Sequence, residues 1–165
     1  MASFHTIVAA VDFSDISREV FETARDMARL YHARLHVIHA VEDPFGSLYA
    51  VENTGLDLPN VLRQWTDTAQ KDMATLVEEH PIEPGLLTTA VLSGSPAQAI
   101  VEYAEDQQAD LIVIGSHGRG AVSRLLLGSI AERVLHLAGR PVFVVAHRDR
   151  HPTSFDVKAA AGVGT

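Results

Sequence analysis

Between Leu111 and Ile130 the chain reads LIVIGSHGRGAVSRLLLGSI, and this stretch limits the fold more than any other. It opens on Leu111-Ile112-Val113-Ile114, an apolar run rich in β-branched residues. A run without period-two alternation suits a strand covered on both faces, as in a parallel sheet. Gly115, Gly118 and Gly120 then punctuate a loop that ends at Gly128-Ser129, where the amphipathic pattern Ile130, Val134, Leu137 begins. Buried strand, glycine-bearing loop, helix start: this is the order in which α/β proteins hold a phosphate. Glycines let the backbone approach closely, and the helix start offers N–H groups and a favourable dipole to an anion. The bland alternative is a glycine loop that only turns the chain.

The common phosphate loops are absent. A Walker A loop needs a Lys between its last Gly and the Ser/Thr, and Gly128-Ser129 has none. The dinucleotide fingerprint needs a third glycine three residues after the second, where Ser123 stands. What remains is Gly115, two residues, Gly118, nine residues, Gly128-Ser129. Arg119 and Arg124 fall inside this loop and offset part of the charge of an anionic ligand.

Taken in order, Ile7 to Val11 reads as a first strand ending at Asp12. Ser14 is the expected N-cap of a helix with the stripe Ile16, Val20, Ala24, Met27, Tyr31. Leu35 to Val41 is the second strand, with His36 and His39 on opposite faces. Glu42 to Pro59 is broken by Pro, Gly and Asn and reads as a long surface connection. A helix from about Asn60 to Glu79 carries Leu62, Trp65, Ala69, Met73 and Leu76 along one face. Trp65 falls on that stripe and is read as core packing rather than as a base-stacking platform. Leu86 to Leu92 is the third strand, and Ser95-Pro96-Ala97-Gln98 predicts a capped helix start. After the organising strand and its loop, a helix from Ser129 to about Ala138 leads to a fifth strand, Val142 to Ala146.

This order predicts an α/β doubly wound sandwich, a five-stranded, mainly parallel sheet with helices on both faces. If strands one and four are neighbours, Asp12, Ala40-Val41 and Gly115 converge on one crevice at the carboxyl ends of the strands. The chain of 165 residues suits a single domain. Residues 1–147 are read as that domain and 148–165, with little apolar material to dock, as a disordered tail. With no cysteine, disulfides and thiolate sites are excluded. A net charge of −8 opposes adhesion to nucleic acid or anionic membrane. No stretch has the length and apolarity of a membrane span or the makeup of a signal peptide, so a cytoplasmic location is expected. The nine histidines are scattered, and no metal-ligand spacing is evident.

The glycine spacing resembles the nucleotide-binding signature of the universal stress protein family, in its ATP-binding branch. VDFSD after strand one, His-Ala-Val in strand two, GSHGRG, LLLGS and PVFVV are similar as well. The resemblance implies a Rossmann-like, adenine nucleotide alpha hydrolase-like fold with strand order 3-2-1-4-5. It also implies that ATP, or AMP or ADP, is the cofactor. The residues implied to bind it are Ala10, Asp12, Ala40, Val41, Ile114, Gly115, His117, Gly118, Arg119, Gly128, Ser129 and Ile130. Asp12 lies against adenosine in the family, and the glycines, Ser129 and Ile130 line phosphate and ribose. Asp12 is also the one expected ligand for magnesium or manganese, and only with nucleotide bound. A homodimer through Val142 to Ala146 is implied, which would pair an apolar edge strand.

Three functions follow in order of preference: a nucleotide-binding regulatory module in stress response, a docking protein without nucleotide, and a slow ATPase or phosphotransferase. The last lacks a P-loop lysine and a second carboxylate beside Asp12 in sequence. No catalytic residue is assigned; His117 is read as packing on ribose or facing solvent.

Overall fold

The computed structural model describes residues 3–42, 58–80, 82, 85–117 and 127–146. Its elements run β1 (Thr6–Ala10), α1 (Ile16–Tyr31), β2 (Arg34–Glu42), α2 (Leu58–Glu78), β3 (Leu87–Gly94), α3 (Pro96–Asp106), β4 (Leu111–Gly115), α4 (Ser129–Leu137) and β5 (Val142–Val145). The strands form one five-stranded sheet in the order β3-β2-β1-β4-β5, and every pairing is parallel. The expected doubly wound architecture and strand order are therefore observed.

The two apolar runs become the two central strands. Ile7, Val8 and Ala9 of β1 and Ile112 and Val113 of β4 are wholly buried, because helices cover both faces of the sheet. Their side chains alternate between two cores. Ile7, Ala9, Leu111 and Val113 face α1 and α2, where Phe21, Ala24 and Met73 are buried. Val8, Ala10, Ile112 and Ile114 face α3 and α4, where Ile100, Ala104 and Val134 are buried. His36 belongs to the second face: its Nδ1 lies 3.0 Å from the Tyr103 hydroxyl, and burial, aided by the charge of Arg34, lowers its pKa. His39 points to the opposite face, as expected, and its Nδ1 lies 2.8 Å from the carbonyl of Val11.

Two predicted caps work differently from expectation. The Ser14 hydroxyl donates to Asp12 Oδ1 at 2.5 Å instead of accepting from the helix, and α1 begins one residue later, after Asp15. A carboxylate two residues away is a stronger acceptor partner for that hydroxyl than an amide is a donor. Ser95 does stand at the N-cap of α3, but its side chain makes no cap hydrogen bond, and Gln98 instead donates to Glu102.

The sheet is locked at its amino-terminal end by Asp110. Its carboxylate accepts the His5 and Thr6 N–H groups at 2.6 and 3.0 Å. Burial alone would raise its pKa, but these two amides, with the charges of His5 and Arg140, outweigh it and hold it below the usual value. A depressed folded-state pKa contributes stability above the unfolded pKa, and that stability is lost as pH falls through the folded value. Asp110→Asn is therefore expected to melt lower than wild type at neutral pH and to lose less on acidification below about pH 4, measured by thermal melts across pH.

Candidate functional site

In the sheet, β1, β2 and β3 progress one way from the centre while β4 and β5 progress the other, so the order reverses between β1 and β4. Crevices at the carboxyl ends of strands at such a switch point are where doubly wound sheets bind ligands. A cavity of about 740 Å³ opens there. That is within the roughly 300–1,000 Å³ of small-molecule sites.

Ala10, Asp12, Ala40, Val41, Ile114, Gly115, His117, Gly128, Ser129 and Ile130 all line it, so residues from across the sequence meet in one place. Gly118 and Arg119 lie outside the described residues, as do Arg124, the connection after Glu42 and the tail.

Each local device has a physical cause. Phe13 holds a left-handed backbone at φ 59, which turns the chain sharply after β1. The turn brings the Ser14 N–H and the Ser14 and Ser17 hydroxyls onto Asp12 Oδ1, at 3.1, 2.5 and 3.0 Å, and fixes this carboxylate at the cavity. The Phe13 ring packs on His39 with centroids 4.5 Å apart. On the other side, Ser116 donates its N–H to Val145 and its carbonyl accepts the Gly128 N–H at 2.7 Å, so the two ends of the loop are pinned together.

Gly115 and Gly128 both stand at close approaches. A Cβ at Gly128 would stand 3.1 Å from the Ser116 oxygen, and one at Gly115 would stand 2.9 Å from Ile16 Cγ2 and 3.3 Å from the His117 oxygen. Because the Gly128 N–H is used in the closure, the donors for an anion at this end begin one residue later than the glycine pattern suggests. The first bond of α4 is Glu132 N–H to Gly128 O. The N–H groups of Ser129, Ile130 and Ala131 precede it and cannot be satisfied within the helix. The His117 Nε2 is buried and has no hydrogen-bond partner among the described residues. Its Nδ1 lies 2.9 Å from the Ser116 hydroxyl.

The opposite side departs from the sequence reading. Trp65 is not in the core: it is 44% exposed and lines the cavity. The stripe of α2 is real, since Ala69 and Met73 are buried, but Trp65, one turn before Ala69, faces the cavity instead of the core. Thr68 and Asp72 line it too, and so does Glu42 at the end of β2. Asp12 thus has companion carboxylates that its sequence neighbourhood did not reveal. The i, i+3, i+7 spacing of Trp65, Thr68 and Asp72 was visible, but nothing marked where the core ends along the helix.

A metal held by the protein is not favoured by these residues. Among the described residues no group of three or more His, Cys, Asp or Glu side chains could hold an ion. A cation beside Asp12 would depend on ligand phosphates for most of its shell. The cavity brings together an amide-bearing end, an apolar floor and carboxylates.

The strand order and covering helices define a Rossmann-like α/β domain with a cavity at its switch point. The universal stress protein family model matches residues 3–146. Universal stress protein MJ0531 of Methanocaldococcus jannaschii is 37% identical over 143 residues, which cover 86% of this chain and 82% of that protein. The chain belongs to the universal stress protein family. Among solved structures, UspA of Lactobacillus plantarum is similar with a TM-score of 0.75 and 27% identity, covering 88% of this chain and 99% of that one. A universal stress protein solved in complex with cAMP is similar in fold, with a TM-score of 0.56 and 24% identity, covering 87% of this chain and 98% of that one. No helix among the described residues is long and apolar enough to cross a membrane.

Proposed function

We propose that this chain is an adenine-nucleotide-binding regulatory module of the stress response, with ATP as the preferred occupant of the cavity. The observation that carries the reading is the cavity at the β1/β4 switch point, bounded on one side by the first-turn amides of α4. Phosphates accept from Ser129, Ile130 and Ala131, where the helix dipole favours negative charge. The buried Nε2 of His117 gains a partner from the same ligand. Ribose and base turn toward Asp12, Ala40 and Val41, since the carboxylates of Asp12, Glu42 and Asp72 repel a triphosphate and accept from hydroxyl or amino groups. A magnesium or manganese ion that accompanies the nucleotide would take its ligands chiefly from the phosphates and water. The complex of a family member with cAMP supports an adenine nucleotide as the ligand class.

The test is to denature freshly purified protein and quantify released nucleotide by mass spectrometry, then titrate emptied protein with ATP by calorimetry. Near-stoichiometric adenine nucleotide, or saturable ATP binding, is expected. No nucleotide and no titratable binding would refute the reading.

The module works as a homodimer through β5. This strand ends the sheet, and its Phe143 is 44% exposed. An apolar edge strand invites pairing, and a two-fold copy offering the same strand satisfies both edges. Phe143→Lys is expected to give a monomer in sedimentation equilibrium where the wild type is a dimer. A monomeric wild type would remove this part of the proposal.

A further inference from the structure

We infer that Trp65 is the aromatic wall of the cavity and stacks on the base of the bound nucleotide, an inference that rests on the nucleotide reading above. The indole continues the inward face of α2, on which Ala69 and Met73 are buried, yet it keeps nearly half its surface exposed at the cavity. A large aromatic side chain left so exposed gives up much of the stabilisation its burial would supply. A flat base laid against it recovers that area.

The placement fits the length of a nucleotide. Helix α2 packs on β2 and β3, whereas α4 packs on β5 and α3. With the sheet order β3-β2-β1-β4-β5, the indole and the α4 amides stand on opposite sides of the switch point. One end of the ligand must therefore be an anion and the other a flat apolar group. Asp72 and Glu42 line the cavity on the indole's side and reinforce this polarity, since they exclude phosphate from that end.

Trp65 is the chain's one tryptophan, so intrinsic fluorescence reports on this position alone. Wild type, Trp65→Ala and Trp65→Phe are titrated with ATP and, separately, with inorganic tripolyphosphate, by calorimetry and, for the wild type, by fluorescence. ATP is expected to change the tryptophan emission and tripolyphosphate to leave it unchanged. Trp65→Ala is expected to bind ATP about tenfold more weakly, as loss of one stacking partner implies. Trp65→Phe should stay within about threefold of wild type, because phenylalanine keeps a π-face. Tripolyphosphate affinity should be the same in all three.

Unchanged ATP affinity in Trp65→Ala, with wild type binding ATP normally, would overturn the aromatic wall and leave the nucleotide reading standing. Equal losses for ATP and tripolyphosphate would overturn it too, by making the indole a general support of the cavity. Absence of ATP binding to wild type would overturn both readings.

Discussion

Ser129→Pro is expected to reduce ATP affinity by about 100-fold or more while leaving the fold intact. Ser129 is the first residue of α4, and Gly128 before it is extended at φ −64, ψ 146. Proline is accepted at a first helical position, where its missing N–H costs no intrahelical bond. Proline also favours an extended residue before it, which Gly128 already supplies. The substitution therefore spares the helix and removes two donors, the Ser129 N–H and its hydroxyl. Each hydrogen bond to a charged group is worth about 1.5–3 kcal/mol, and every 1.4 kcal/mol is tenfold in affinity. Unfolding should shift by no more than about 0.5 kcal/mol, as for a surface change. Calorimetric titration beside a denaturant melt separates the two effects. An affinity equal to wild type would remove phosphate from this helix end.

The largest expected loss of stability is for Phe21→Ala, at about 3–5 kcal/mol. Phe21 is fully buried between α1 and the sheet. Its ring also meets that of His80, with centroids 5.3 Å apart. His80, just past the end of α2, is buried and lies 3.1 Å from Glu22 of α1. Truncation therefore leaves a void on α1 and loosens the junction with α2 together. A domain of this kind is stable by roughly 5–15 kcal/mol, so the melting temperature should fall by roughly 10 °C. Chemical denaturation gives the free energy, and a loss below about 1.5 kcal/mol would mean that α1 repacks to fill the space.

The central strands were the most legible part of the chain. Ile7 to Ala10 and Leu111 to Ile114 are continuous apolar runs, and only burial on both faces explains them. The crevice was legible for the same reason, since residues at the ends of those strands must meet once β1 and β4 pair. Trp65 was not legible. A helical stripe reports which face turns inward, but not whether the inward space is filled by side chains or left as a cavity. Ser14 was misread because capping preference ranks serine against amides and takes no account of Asp12 two residues earlier. The pinning of Gly128 by Ser116 was also hidden, because a glycine pattern marks close approach without naming what approaches.

The most direct experiment is an amide-resolved NMR titration of the emptied protein with ATP. Phosphates cradled at the start of α4 should give their largest shifts at the Ser129, Ile130 and Ala131 amides, with a second group at Ala40 and Val41. If ATP binds and those first-turn amides stay unmoved, the ligand lies elsewhere and the cavity at the β1/β4 switch point is not its site.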